Sequence, residues 1–212
     1  MSTLQTYILI KIYGGIDMFI VITGLDGSGT STVAELLHKM DKNSAITRTP
    51  SLEYSNRENI DNSVREVSQM AHYLYYLSSV VYESDKIKSN GNYKENNVYC
   101  VRYLIDTVVS HSVAGLDVKL DYETYDILKP DLTIFVKLNE ETRQKRITER
   151  RKSILDKVLD DSKKREEFNK KFDYFLGLEN GPTIVFNNDS LDVQENVKDL
   201  FKIIKERGRH YE

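Results

Sequence analysis

Phe19-Ile20-Val21-Ile22-Thr23-Gly24-Leu25-Asp26-Gly27-Ser28-Gly29-Thr30-Ser31-Thr32-Val33-Ala34-Glu35-Leu36-Leu37 is the stretch that decides the fold of this chain. Its first five residues are apolar or β-branched with no polar alternation, the pattern of a strand covered on both faces at the centre of a parallel sheet. From Thr30 onward the pattern changes to that of an amphipathic helix. The turn between them holds Gly24, Gly27 and Gly29. Such a turn lets backbone N–H groups converge on phosphate oxygens, and the following helix N-terminus adds its partial positive charge. A phosphate cradle is therefore expected at the C-terminal end of the first strand. Working outward, further strands are predicted over 45–49, 98–103, 132–138 and 183–186. Helices are predicted over 30–41, 60–88, 106–113, 139–150, 162–176 and 193–207. This alternation predicts an α/β three-layer sandwich, a five-stranded parallel sheet with helices on both faces. Within the second helix Met70, Leu74, Leu77 and Val81 recur at three- and four-residue spacing and predict its buried face.

The chain has 212 residues, a length suited to one domain. Lys and Arg number 30 against 33 Asp and Glu, a net charge of −3. That balance excludes a generally basic, nucleic-acid-coating surface. The run Tyr73, Tyr75, Tyr76 and Tyr82 lies in an apolar helix and reads as core or as a dimer face, not as a base-stacking platform. Cys100 is the single cysteine, which points to a reducing compartment, so the cytoplasm is expected. His38, His72, His111 and His210 are dispersed and predict no zinc site. Tyr7-Ile8-Leu9-Ile10 is broken by Lys11, too short for a signal-peptide core or for a membrane span of about 20 residues. Met18 directly precedes the first strand. Residues 1–17 thus read as an N-terminal appendage or an over-long start, with an extra edge strand at 7–12 as the other reading. Residues 18–212 read as a single domain.

The P-loop pattern requires Gly, four residues, then Gly-Lys-Ser/Thr; Gly24, Gly29 and Ser31 are in register, and Thr30 stands at the lysine position. Four further segments follow in order: Thr47-Arg48-Thr49-Pro50, Val101-Arg102-Tyr103, Pro130-Asp131-Leu132-Thr133, and Arg146 with Arg150 and Arg151. Together with the cradle they make residues 19–205 resemble the thymidylate kinases. The resemblance implies the nucleoside monophosphate kinase version of the P-loop NTPase-like sheet, with a small basic lid at about 146–165. It further implies ATP with Mg²⁺, transfer to a deoxynucleoside monophosphate (dTMP to dTDP), and a homodimer. Gly24, Gly27, Ser28, Gly29, Thr30, Ser31 and Thr32 then hold the ATP phosphates, with Ser31 as the Mg²⁺ ligand. Asp26 accepts a hydrogen bond from the deoxyribose hydroxyl. Arg102 grips the acceptor phosphate with its guanidinium fork, and Arg48 stands at the same level of the sheet. Tyr76 occupies the position that stacks on the base, and His111 a position that reads the base edge. Gly27 stands where some relatives have arginine, which assigns the transfer-stabilising charge to Arg150 or Arg151 of the lid.

Three departures from the family pattern bear on activity. Thr30 removes a cation worth about 10² to 10⁵ in rate, or roughly 3 to 7 kcal/mol. Val101 removes the aspartate of Asp-Arg-Tyr. Val80 stands where an arginine contacts the thymine carbonyl, leaving room for another base. Two readings follow: a kinase, or a nucleotide-binding relative with impaired catalysis serving as a sensor or partner subunit. Lys86, Lys88 and Lys137 are the lysines considered as replacements for the missing one, and spacing selects none of them.

Overall fold

β1 (Phe19–Thr23) is buried along its whole length because both of its edges and both of its faces are covered. The computed structural model describes residues 18–55, 57–89, 96–148, 159–179, 181–189 and 193–209, with side chains to 206. Around β1 stand β2 (Ser44–Arg48), β3 (Asn97–Val101), β4 (Leu132–Lys137) and β5 (Thr183–Asn187). The order is β2-β3-β1-β4-β5, with every pairing parallel. The principal helices are α1 (Thr30–Met40), α2 (Gln69–Ser89), α3 (Leu104–Val113), α4 (Glu140–Thr148), α5 (Ser162–Glu179) and α6 (Val193–Arg209). The three-layer α/β sandwich expected from the alternation is therefore the architecture found.

Alternate residues of β1 feed two separate cores. Phe19 and Val21 point into the layer built with α2, α3 and α5, where Phe135 and Phe172 meet with ring centroids 5.0 Å apart. Ile20 and Ile22 join Val33, Leu37, Val197 and Leu200 in the layer of α1 and α6. A strand without alternation is the sequence image of this double burial. Pro130-Asp131-Leu132-Thr133 serves the sheet: Asp131 Oδ2 accepts from the Phe19 N–H at 2.7 Å, and Thr133 Oγ1 donates to the buried Glu179 at 2.8 Å.

Two expectations about the second helix are corrected. The segment predicted as one helix over 60–88 is broken: a π-helical turn (Ile60–Val64) and a short helical turn (Arg65–Val67) lead to Ser68, which is extended at φ −149°. The Ser68 hydroxyl accepts from the Ala71 N–H at 3.1 Å, so a serine capable of capping starts a new helix there. The buried face of α2 is also rotated from the predicted one. Tyr73, Leu77, Val80, Ser84 and Ile87 face inward, while Met70 and Leu74 are 48% and 50% exposed. Two sets of apolar residues at helical spacing coexist on this helix, and only the packing of α3 against it selects between them. The helix expected over 139–150 is described as Glu140–Thr148, and the segment 7–12 lies outside the described residues.

Candidate functional site

The cradle runs from the end of β1 into α1 and takes backbone conformations that only glycine adopts without strain. Gly24, Gly27 and Gly29 have φ of +157°, +86° and +95°. At Gly24 a Cβ would lie 2.5 Å from the Val136 carbonyl oxygen of β4, so the loop must pass directly against the neighbouring strand. Gly29 caps α1 in the left-handed region with no side chain filling the cap. Ser28 and Thr30 are buried, Ser31 is half-buried, and Thr32 is exposed in the first turn. The α1 N-terminus is thus bare of acidic residues, which suits an anion.

Arg102 closes the site from β3. It is a non-glycine residue at φ +64°, a conformation that costs free energy and that is held here by its neighbours. Its backbone N–H donates to Ile22 at 2.9 Å, fixing it beside β1. Its guanidinium donates Nη1 to Asp106 Oδ1 at 2.9 Å and to the Gly24 carbonyl at 3.3 Å, and Nη2 to Asp26. Cradle and acceptor-side arginine therefore touch through the two side chains that the resemblance assigns to substrate. Asp106 lies near Val101, the position that lacks aspartate. Its other oxygen accepts from the Tyr103 N–H at 3.0 Å, so it both caps α3 and pairs with Arg102. Burial holds the Asp106 carboxyl above the usual range, against the pull of Arg102.

Tyr76 and His111 are brought together on facing helices, with centroids 5.8 Å apart. The Tyr76 hydroxyl donates to Asp61 at 2.5 Å. His111 is 3% exposed, and both ring nitrogens are engaged within the protein. Its Nδ1 faces the Thr107 carbonyl at 2.7 Å, which can only accept, so Nδ1 carries the proton. Its Nε2 then accepts from His72 Nδ1 at 2.8 Å, while His72 Nε2 lies 3.1 Å from Asp61. The edge expected to read a base is turned inward in this conformation, and His111 anchors the wall that carries Tyr76. Burial lowers His111 to about 4. Burial pushes Asp61 up, but hydrogen bonds from His72 and Tyr76 outweigh it and leave the carboxyl below its ordinary value.

Arg48 is exposed at the end of β2, in register with Val101. Arg150 and Arg151 lie outside the described residues. Of the three lysines considered for the missing cation, Lys86 pairs with Glu83 and Lys88 with Asp85 and Asp126, while Lys137 pairs with Asp173 at 3.6 Å beside the cradle. Two residues not singled out from sequence complete the site. Arg143 is 1% exposed, donates to the Asp26 carbonyl at 3.1 Å, and is held by Glu140. Asn188, just past β5, donates to the Ser28 carbonyl at 2.8 Å. An arginine in a charged helix reads as a solvated one; the signal for Asn188 was its place at the carboxyl end of a strand, where ligands bind in such sheets. A cavity of about 510 Å³ adjoins the cradle, lined by Leu25, Ser28, Lys137, Arg143, Arg165 and Asp173 among others.

A parallel sheet in this order, with a glycine cradle on its central strand and an arginine fork facing it, defines a phosphate-binding α/β protein of the kinase type. Residues 22–200 match the thymidylate kinase family model. The probable thymidylate kinase of Methanocaldococcus jannaschii is 32% identical over 151 residues, covering 68% of this chain and 79% of that protein. The thymidylate kinase of Mycoplasma mobile is 27% identical over 210 residues, covering 88% and 95%. Among solved structures, thymidylate kinase from Candida albicans superposes with a TM-score of 0.65 at 19% identity, over 93% of this chain and 94% of that one. A deoxyadenosine kinase from M. mycoides gives 0.65 at 20%, over 89% and 100%. At these identities the structural likeness speaks for the fold. The chain belongs to the thymidylate kinase family, and its class is that of a nucleoside monophosphate kinase.

Proposed function

We propose that this protein transfers the γ-phosphoryl group of ATP to dTMP, giving ADP and dTDP. The observation that carries the reading is the pairing of Asp26, inside the cradle, with Arg102 at the end of β3, in a chain of this family. An oxygen of the acceptor phosphate attacks the γ-phosphorus, the bond to the bridging oxygen breaks, and ADP leaves with that electron pair. Backbone amides of Gly24–Thr32 hold the donor phosphates. Arg102, exchanging Asp26 for the incoming phosphate, orients the acceptor, and Asp26 is then free to accept the sugar hydroxyl. Arg48 adds a second cation at the same level, Tyr76 gives the base a stacking face, and His111 fixes the wall behind it. Arg150 or Arg151 supplies charge to the phosphoryl group in transit.

Among the described residues no three His, Cys, Asp or Glu side chains cluster as a metal cage. Ser31, in the first turn of α1, fits Mg²⁺ held by one hydroxyl together with phosphate oxygens and water. Bound there, the ion neutralises charge on the phosphates. The exposed Met70 and Leu74 on α2 support a homodimer through that helix, and the buried free thiol of Cys100 supports a reducing compartment. No described helix is long and apolar enough to cross a membrane.

An ADP-release assay with ATP, Mg²⁺ and a panel of deoxynucleoside monophosphates tests the reading. Turnover above about 0.1 s⁻¹ on dTMP, reduced at least about a hundredfold in Arg102→Ala, is expected. Faster turnover on another monophosphate would reassign the base. Absence of turnover on all of them, with ATP still bound, would overturn the kinase and leave the nucleotide-binding relative.

A further inference from the structure

Three guanidinium groups grip alternate carbonyls of the cradle from outside. Arg102 donates to Gly24, Arg143 to Asp26 and Arg146 to Ser28, at 3.3, 3.1 and 3.4 Å. Each of these carbonyls shares a peptide unit with the N–H of Leu25, Gly27 or Gly29. A cation on the oxygen of a peptide polarises it and strengthens its N–H as a donor. The three charges are not equivalent. Arg102 is offset by Asp26 and Asp106, and Arg143 by Glu140. Arg146 has no carboxylate within ion-pair distance among the described residues; its Nη2 donates to the Asn188 carbonyl at 3.2 Å. Its Nη1 lies 3.2 Å from where a side chain at Gly29, the residue before Thr30, would begin.

We infer that Arg146 supplies, from behind the loop, the positive charge that a P-loop lysine at position 30 would supply from within. It is a positioning residue, acting on the donor phosphates through the amides it polarises. The inference deepens the kinase reading and rests on it for its effect on turnover, but its effect on ATP binding does not. The contact to the cradle is made by the first lid arginine, four and five residues before those assigned to the phosphoryl group in transit. The Asn188 side chain and main chain hold both partners of the contact, which makes the position of the charge definite.

The test compares Arg146→Gln, Arg146→Lys and Arg146→Gln with Thr30→Lys, measuring kcat/KM for ATP and the Kd of ATP at low and high salt. Arg146→Gln is expected to weaken both at least tenfold and to flatten the salt dependence of Kd, since a cation has been lost. Arg146→Lys should recover most of the loss, and Thr30→Lys should rescue the glutamine variant. Equal melting temperatures for the Gln and Lys variants would separate charge from packing. Wild-type values in Arg146→Gln would overturn the inference. So would equal impairment of Gln and Lys variants with no rescue by Thr30→Lys. If the wild type fails to turn over any monophosphate, the kinase reading falls, while the Kd series still decides the role of Arg146.

Discussion

At the scale of single residues, the site is governed by positions where side-chain identity follows from geometry. Gly24 is one: a methyl group there meets the Val136 carbonyl at 2.5 Å and the Ser28 hydroxyl at 2.7 Å, in a backbone region closed to other residues. Gly24→Ala is expected to destabilise the protein by about 3 kcal/mol and to abolish ATP binding, as read by a thermal melt and by titration calorimetry. Unchanged melting would show that the loop can leave β4. Arg102 is the opposite case, a non-glycine residue at positive φ, kept there by its bonds to Gly24, Asp26 and Asp106. Asp106 bears on the aspartate that is missing at position 101. Four residues on from Arg102, across the start of α3, it returns a carboxylate to the guanidinium. Only the turn between β3 and α3 makes that return visible.

At the scale of elements, the network that joins α2, α3 and the π-helical turn carries a pH dependence. His111 faces His72, Arg65 and Asp61, and its pKa falls from 6.5 to about 4 mainly by burial. Because the unfolded chain binds this proton at higher pH than the folded one, stability is complete above pH 6.5 and falls as pH drops toward 4. The full loss from this one group is about 3 kcal/mol. Asp61, lowered in the folded state, adds a further loss below its unfolded value of 3.8. In His111→Gln the fall in unfolding free energy from urea titration between pH 6.5 and 4 is expected to shrink by that amount, and an unchanged fall would place the titration elsewhere. The break at Ser68 and the rotated face of α2 belong to the same scale. Leu77 was legible as a core residue, whereas Met70 and Leu74 were not legible as exposed, since helical spacing marks both an inward and an outward stripe.

At the scale of the whole molecule, the exposed Met70 and Leu74 on α2 are the surface proposed above for pairing with a second copy. The wild type is expected to elute as a dimer with twice the single-chain mass by light scattering, and Leu74→Glu as a monomer that keeps its melting transition; a monomeric wild type would overturn the assignment. The sequence by itself determined the layered parallel sheet, the place of the cradle and the family, because these are written in local signals: double-faced apolar strands, glycines at fixed offsets, and short motifs in a fixed order. The sheet order and the agents of the cradle's charge were decided by tertiary structure alone. Arg143 reads as a solvated helix residue and Arg146 as one arginine of a lid until α4 is laid against the cradle, where a buried and a half-buried guanidinium meet the carbonyls of Asp26 and Ser28. His111 reads as a base-edge residue in the sequence, whereas in the fold α2 covers it, His72 engages its Nε2 and the Thr107 carbonyl of its own helix engages its Nδ1. In each case the deciding quantity is the partner of a polar atom: Arg143 and Arg146 find theirs 117 and 118 residues back and His111 finds His72 39 residues back, separations that leave no local trace in the sequence.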